Sequence, residues 1–129
     1  MTRALTMALA ALGGAAAAQA VLEVPSGQGV TLYQVVLEQE AERARFLFLA
    51  PGIALEDGAG LGFEAVVGDF PWLCDRVILP ALAENGWAAR QVVIAMSDRE
   101  IAFGERDAEA VQFFEAFAVE DGACVLEVF

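Results

Sequence analysis

Carboxylates are the only chemically versatile side chains that this sequence supplies in number. Nineteen Asp and Glu face seven basic residues, every one an arginine, and histidine is absent. That absence removes the commonest general base and the commonest transition-metal ligand. It excludes Ser-His-Asp and Cys-His catalysis and histidine-based zinc sites. Two cysteines cannot supply an all-thiolate tetrahedral site. Paired carboxylates can do acid–base work when burial drives their pKa values apart, as glycoside hydrolysis requires. Glu105, Asp107 and Glu115 are the candidates for such a pair. The plainer reading makes them solvated surface acids, and composition favours it.

Cation binding has weaker support. The twelve-residue calcium loop, with acids at positions 1, 3 and 5 and glycine at 6, does not occur. Arg106-Asp107-Ala108-Glu109 offers only two acids. At the turn Ser97-Asp98-Arg99-Glu100, Arg99 could contact an anion. The simpler expectation is a local turn bond from Asp98 and an ion pair from Arg99 to Glu100 or Glu105. Phe113, Phe114, Phe117 and Phe129 read as core rather than as a ligand platform. Trp72 and Trp87 flank the ends of a predicted helix and are expected to be partly exposed. No cofactor site or metal site is expected.

Cys74 and Cys124, 50 positions apart, are the other chemically distinctive pair. Their state depends on the compartment, and residues 1–20 bear on that. Met1-Thr2-Arg3 is a short basic start, Ala4 to Ala18 is apolar or small, and Ala18-Gln19-Ala20 is an Ala-x-Ala exit. This is the layout of a secretory signal peptide cleaved before Val21. A buried helix or a membrane anchor competes with it, but the run falls short of the ~20 residues that a spanning helix needs. Gly13-Gly14 also interrupts it. Export to an oxidising compartment predicts a Cys74–Cys124 disulfide. Two separate buried thiols are the alternative. A redox couple fits poorly, because such pairs are usually Cys-x-x-Cys.

Cleavage would leave residues 21–129, a length that suits one domain. It removes Arg3 and no acid, so the mature net charge becomes −13. Such a surface repels phosphate backbones and anionic lipid headgroups. Nucleic acid is therefore not an expected partner; a protein partner or a cation suits it better. No later segment is long and apolar enough to span a bilayer.

The elements that must position these residues follow from pattern. Glu23 to Gly29 reads as an extended lead-in. Val30 to Glu38 is a strand by its β-branched and aromatic content. Arg43 to Ala50 is a second strand, with Arg43 and Arg45 on a wet face and Ala44, Phe46 and Phe48 on a dry one. Residues 39–42 are short enough for a hairpin. The glycines at 52, 58, 60 and 62 mark a surface loop, with a turn at Asp57-Gly58. Phe70, Leu73, Cys74, Val77, Ile78, Ala81 and Leu82 then repeat at helical spacing. Asp69 is the predicted N-cap, Pro71 fits the first turn, and Asn85-Gly86 ends the helix. Pro80 should kink it. The apolar spacing also extends back through Val67, Val66 and Phe63, although Pro71 argues against that earlier start.

Gln91 to Ser97 is apolar on both faces and reads as a central strand. Ile101 to Phe103 could return as a short strand. Residues 111–119 fit a helix or a strand; a strand over 113–119 is preferred because Asp121-Gly122 and Ala123 to Phe129 complete a hairpin. The predicted class is α+β: an antiparallel sheet with one long amphipathic helix on one face, behind a cleaved signal peptide.

Several segments resemble an uncharacterised family of small exported alphaproteobacterial proteins. They are V-P-S-G-Q-G-V-T-L-Y (24–33), R-F-L-F-L-A-P (45–51), D-F-P-W-L-C (69–74), S-D-R-E-I-A-F-G-E (97–105), Q-F-F-E-A-F (112–117) and D-G-A-C-V-L-E-V-F (121–129). Some members of that family carry an acetolactate synthase label. Such enzymes hold thiamine diphosphate and a metal across several hundred residues, which a domain of this size cannot accommodate. The resemblance implies relatives but no activity. The functional expectation is a periplasmic, acidic, non-enzymatic binding or accessory module. A small carboxylate-dependent hydrolase and an acidic cation-binding protein are the alternatives.

Overall fold

The computed structural model describes residues 20–55 and 58–128. The expected leader lies outside them except for Ala20, as do Asp57 of the expected turn and Phe129. Six strands form one sheet in chain order. They are β1 (Val21–Glu23), β2 (Gly29–Glu38), β3 (Arg43–Leu49), β4 (Gln91–Ser97), β5 (Gln112–Glu120) and β6 (Ala123–Leu126). All neighbours are antiparallel except β3 and β4, which run parallel. The α+β class holds, but the wholly antiparallel sheet is corrected to a mixed one. The cause is the long connection over residues 50–90. A tight hairpin reverses the chain, whereas a helical crossover returns it to the end where the previous strand began.

Two strand assignments also change. A short strand, β1, precedes the expected lead-in and shares only Glu23 with it; it pairs with the start of β2 across a turn closed by Gly27 N–H to the Val24 carbonyl, 2.7 Å. Residues 101–103 form no strand, because Tyr33 and Gln34 side chains satisfy their backbone groups. Residues 112–120 are a strand, as preferred. Asp121 and Gly122 both take positive φ, 52° and 76°, which matches the right-handed twist of a two-residue hairpin.

The crossover helix is 22 residues long. Its parts are α1 (Phe63–Val66), α2 (Asp69–Leu73), a π-helical turn (Cys74–Ile78) and α3 (Leu79–Glu84). The predicted start at Asp69 is corrected to Phe63. Pro71 has no N–H for the Val67 carbonyl, yet Val67 and Gly68 keep right-handed helical torsions. The interruption expected at Pro80 takes the form of the π turn just before it, where the Leu79 N–H reaches the Cys74 carbonyl. A wider turn leaves room for a ring that would clash with the carbonyl four residues back.

Asp69 is not the N-cap. Its carboxylate, 1 % exposed, accepts Ser26 N–H at 2.8 Å, Ser26 Oγ–H at 2.6 Å and Gln28 Nε2–H at 3.1 Å. These bonds satisfy a charge that burial would otherwise penalise. They also fasten the β1–β2 turn to the helix.

Side chains alternate across a strand, so the sheet has two unlike faces. On one, Ala44, Phe46 and Phe48 of β3 and Val92, Ile94 and Met96 of β4 are fully buried or nearly so. They join Phe70, Leu73, Cys74, Ile78 and Leu82 of the helix in one core. Trp87 is buried there too, correcting the expected exposure, while Trp72 is half-buried. Cys74 is bonded to Cys124, with their Cα atoms 6.2 Å apart, so the helix is tied to β6. Asp75 adds to that tie by accepting the Cys124 N–H at 2.9 Å.

Candidate functional site

The opposite face carries Arg43, Arg45 and Leu47 of β3, Val93 and Ala95 of β4, and Gln112 and Phe114 of β5. No helix covers it. The loop between β4 and β5 folds back over one end. An irregularity between Leu32 and Gln34 sets Tyr33 outside the ladder. The Tyr33 hydroxyl donates to the Ile101 carbonyl at 2.8 Å and accepts the Ile101 N–H at 3.1 Å. Gln34 Oε1 accepts the Phe103 N–H at 3.0 Å. Asp98 closes the loop base by accepting the Val111 N–H at 3.1 Å.

A turn over residues 102–105 places Phe103 near its tip, with the Glu105 N–H donating to the Ala102 carbonyl at 2.9 Å. Gly104 has φ +90°, the left-handed value that the third position of a type II turn requires. Where the loop stops covering the sheet, a cleft of ≈ 180 Å³ remains. Leu47, Val93 and Ala95 line it from the sheet and Ile101 from the loop. Phe103 and Phe114, 46 % and 57 % exposed, also line it. Its polar groups are Arg45, Glu105 and Gln112.

Arg45 is held on two sides. Its Nε–H donates to Glu38 Oε1 at 2.9 Å, and its guanidinium lies over the Phe103 ring, 5.1 Å from the centroid. Such cation–π contacts contribute roughly 0.5–1 kcal/mol at exposed sites. Arg43 Nη1–H donates to the same Glu38 oxygen at 2.9 Å. The Arg43 and Arg45 hydrogen bonds keep the Glu38 carboxyl below its ordinary pKa. Gln112 donates to Ser97 Oγ at 2.9 Å.

Glu115 does not converge with the other candidate acids. Glu105 lines the cleft, whereas Glu115 lies opposite Ile94 on the helix-covered face. There it shares a notch with Val67, Pro71, Phe117, Cys124 and Leu126, and burial raises its pKa. Asp107 Oδ1 accepts the Glu109 N–H at 2.9 Å, and Asp107 Oδ2 lies 3.6 Å from Arg99. Arg99 also pairs with Asp98 at 3.2 Å, so its acids are Asp98 and Asp107 rather than Glu100 or Glu105. Among the described residues, no three of His, Cys, Asp and Glu cluster as a metal site would need. Among those residues too, no helix is long and apolar enough to cross a membrane.

Sequence reasoning missed Arg45, Phe103 and Phe114 as neighbours. The available signals were the Arg43/Arg45 alternation, a phenylalanine beside Gly104, and a second phenylalanine at 114 that must face away from Phe113 and Phe117.

A family model described as "Family of unknown function (DUF6497)" matches residues 6–129. No curated protein and no solved structure matches the chain.

Proposed function

The chain belongs to that family of unknown function, and we propose from its geometry that it is a non-enzymatic binding module. Export to the periplasm, with removal of residues 1–20, is part of this reading. The binding element is the cleft between the uncovered sheet face and the loop after β4. One observation supports it above the others: two exposed phenylalanines, on separate elements, flank a cleft whose sheet wall is apolar apart from Arg45 and Gln112. Exposed aromatics at a pre-formed concavity are typical of a ligand or partner contact. The loop is pinned by Tyr33 and Gln34, so little ordering is needed on binding.

A carboxylate-dependent hydrolase would need two acids at one place. The sheet separates Glu115 from Glu105, and Asp107 is engaged with Arg99. The test uses hexanol as an apolar probe in an amide NMR titration of the protein. Shifts confined to Phe103, Phe114 and Val93, lost in Phe114→Ser, are the expected result. Shifts elsewhere, or none, would overturn the assignment. The mass of native protein checks export: a chain beginning at Val21 agrees with it, and an intact Met1 contradicts it.

A further inference from the structure

We propose that the cleft selects a small organic acid: a carboxylate attached to a short alkyl chain or a single aromatic ring. This deepens the reading given above and rests on it. Arg45 is the only cation lining the cleft among the described residues. Its Nε–H is engaged by Glu38, which also accepts from Arg43. One carboxylate therefore meets two guanidinium groups, so the cluster of Arg43, Arg45 and Glu38 carries a net charge of +1, which Glu105 at the cleft offsets.

No described residue accepts a hydrogen bond from the Arg45 Nη1 or Nη2 groups. That end of a guanidinium is a planar two-donor edge, and a carboxylate matches it with two parallel bonds. The Phe103 ring on one side and the Glu38 bond on the other hold the guanidinium in place before any ligand arrives. The remaining lining is largely apolar: Leu47, Val93, Ala95 and Phe114 offer an alkyl or aromatic body nothing to hydrogen-bond. At ≈ 180 Å³ the cleft is smaller than the roughly 300–1,000 Å³ of common small-molecule sites, which suits one such body. Glu105 stands at the same cleft as a negative charge and tempers affinity for anions.

Amide NMR titration with hexanoate, hexanol and hexylamine tests this on the folded, oxidised protein. Hexanoate should shift Arg45, Phe103 and Phe114 and bind more tightly than hexanol, with hexylamine weakest. Arg45→Met should weaken hexanoate about tenfold or more and hexanol much less. Glu105→Gln should tighten hexanoate. Equal binding of hexanoate and hexanol, untouched by Arg45→Met, would overturn the carboxylate assignment while the apolar cleft stood. No shift at the cleft with any probe would remove both readings. If Arg45→Met fails to fold, the order of the three probes on the unmutated protein decides. Loss of the hexanoate preference at high salt then serves as the second measurement.

Discussion

The two faces of the sheet are built from the same strands and serve different ends. On the covered face, β3 and β4 present Ala44, Phe46, Phe48, Val92, Ile94 and Met96 to a helix. On the other, the same strands present Arg43, Arg45, Leu47, Val93 and Ala95, and among the described residues a loop rather than a helix lies over part of them. The phenylalanines mark the contrast: Phe46 is 1 % exposed and Phe114 is 57 % exposed. A buried ring contributes to folding by leaving water, at roughly 25 cal/mol per Å² of apolar surface. A ring that stays wet in the folded chain gains little of that and is available to something else. Aromatic content alone therefore does not identify core in this protein; the face does.

The sharpest way to break this comparison is a matched pair of truncations. Phe46→Ala should destabilise the protein by roughly 3–5 kcal/mol. Phe114→Ala should stay within about 1 kcal/mol. Denaturant titration reads both. Similar losses for the two would mean that the open face is also core.

The disulfide gives the next effect. It joins the helix to the edge strand β6, which packs mainly against β5 and that helix. The double variant Cys74→Ala/Cys124→Ala should lose about 4 kcal/mol in the chain-entropy model for a loop of 50 residues. Stability unaffected by that change would show that helix packing alone holds β6 against the covered face.

Smallest, and opposite in sign, are two carboxylates on different faces. Glu38 is held below its ordinary pKa by its hydrogen bonds from Arg43 and Arg45. Its contribution is present above the unfolded carboxylate pKa of about 4.3 and is lost as pH falls through the lower folded value. Glu38→Gln should cost about 0.5–1 kcal/mol near neutral pH, a modest figure because solvent screens this half-exposed cluster. That cost should vanish in strong acid. Glu115 has a folded pKa raised by burial. Its penalty is absent below the unfolded pKa and is fully present above the folded one. Glu115→Gln should therefore raise Tm slightly near neutral pH and leave it unchanged in acid. Thermal melts across pH check both, and matching signs would contradict the two environments described.

Much of the fold was legible because its signals are local. β2, β3, β4 and the helix face follow from alternation and from 3.6-residue spacing, which depend only on near neighbours. The Asp121-Gly122 hairpin was legible for the same reason. What misled was also local. Pro71 suggested a helix start, and Asp69 looked like a cap, because both are strong short-range signals. A distant turn at Ser26 and Gln28 instead claimed the Asp69 carboxylate. Residues 101–103 looked like a strand because their type is apolar. Their backbone is satisfied by Tyr33 and Gln34, some 68 residues away along the chain and as far for the second contact.

The sequence by itself determined the alternation that makes one side of β3 wet and the other dry, the inward seat of Cys74 and the lack of any histidine chemistry. These are properties of composition and of side-chain periodicity. Tertiary structure decided that β3 and β4 run parallel and that Glu115 stands apart from Glu105. It also brought Arg45, Phe103 and Phe114 to one cleft. Those outcomes depend on which side of the sheet a long crossover takes and where a loop is pinned. Both are set by contacts between residues far apart in the chain, and no short-range pattern encodes them.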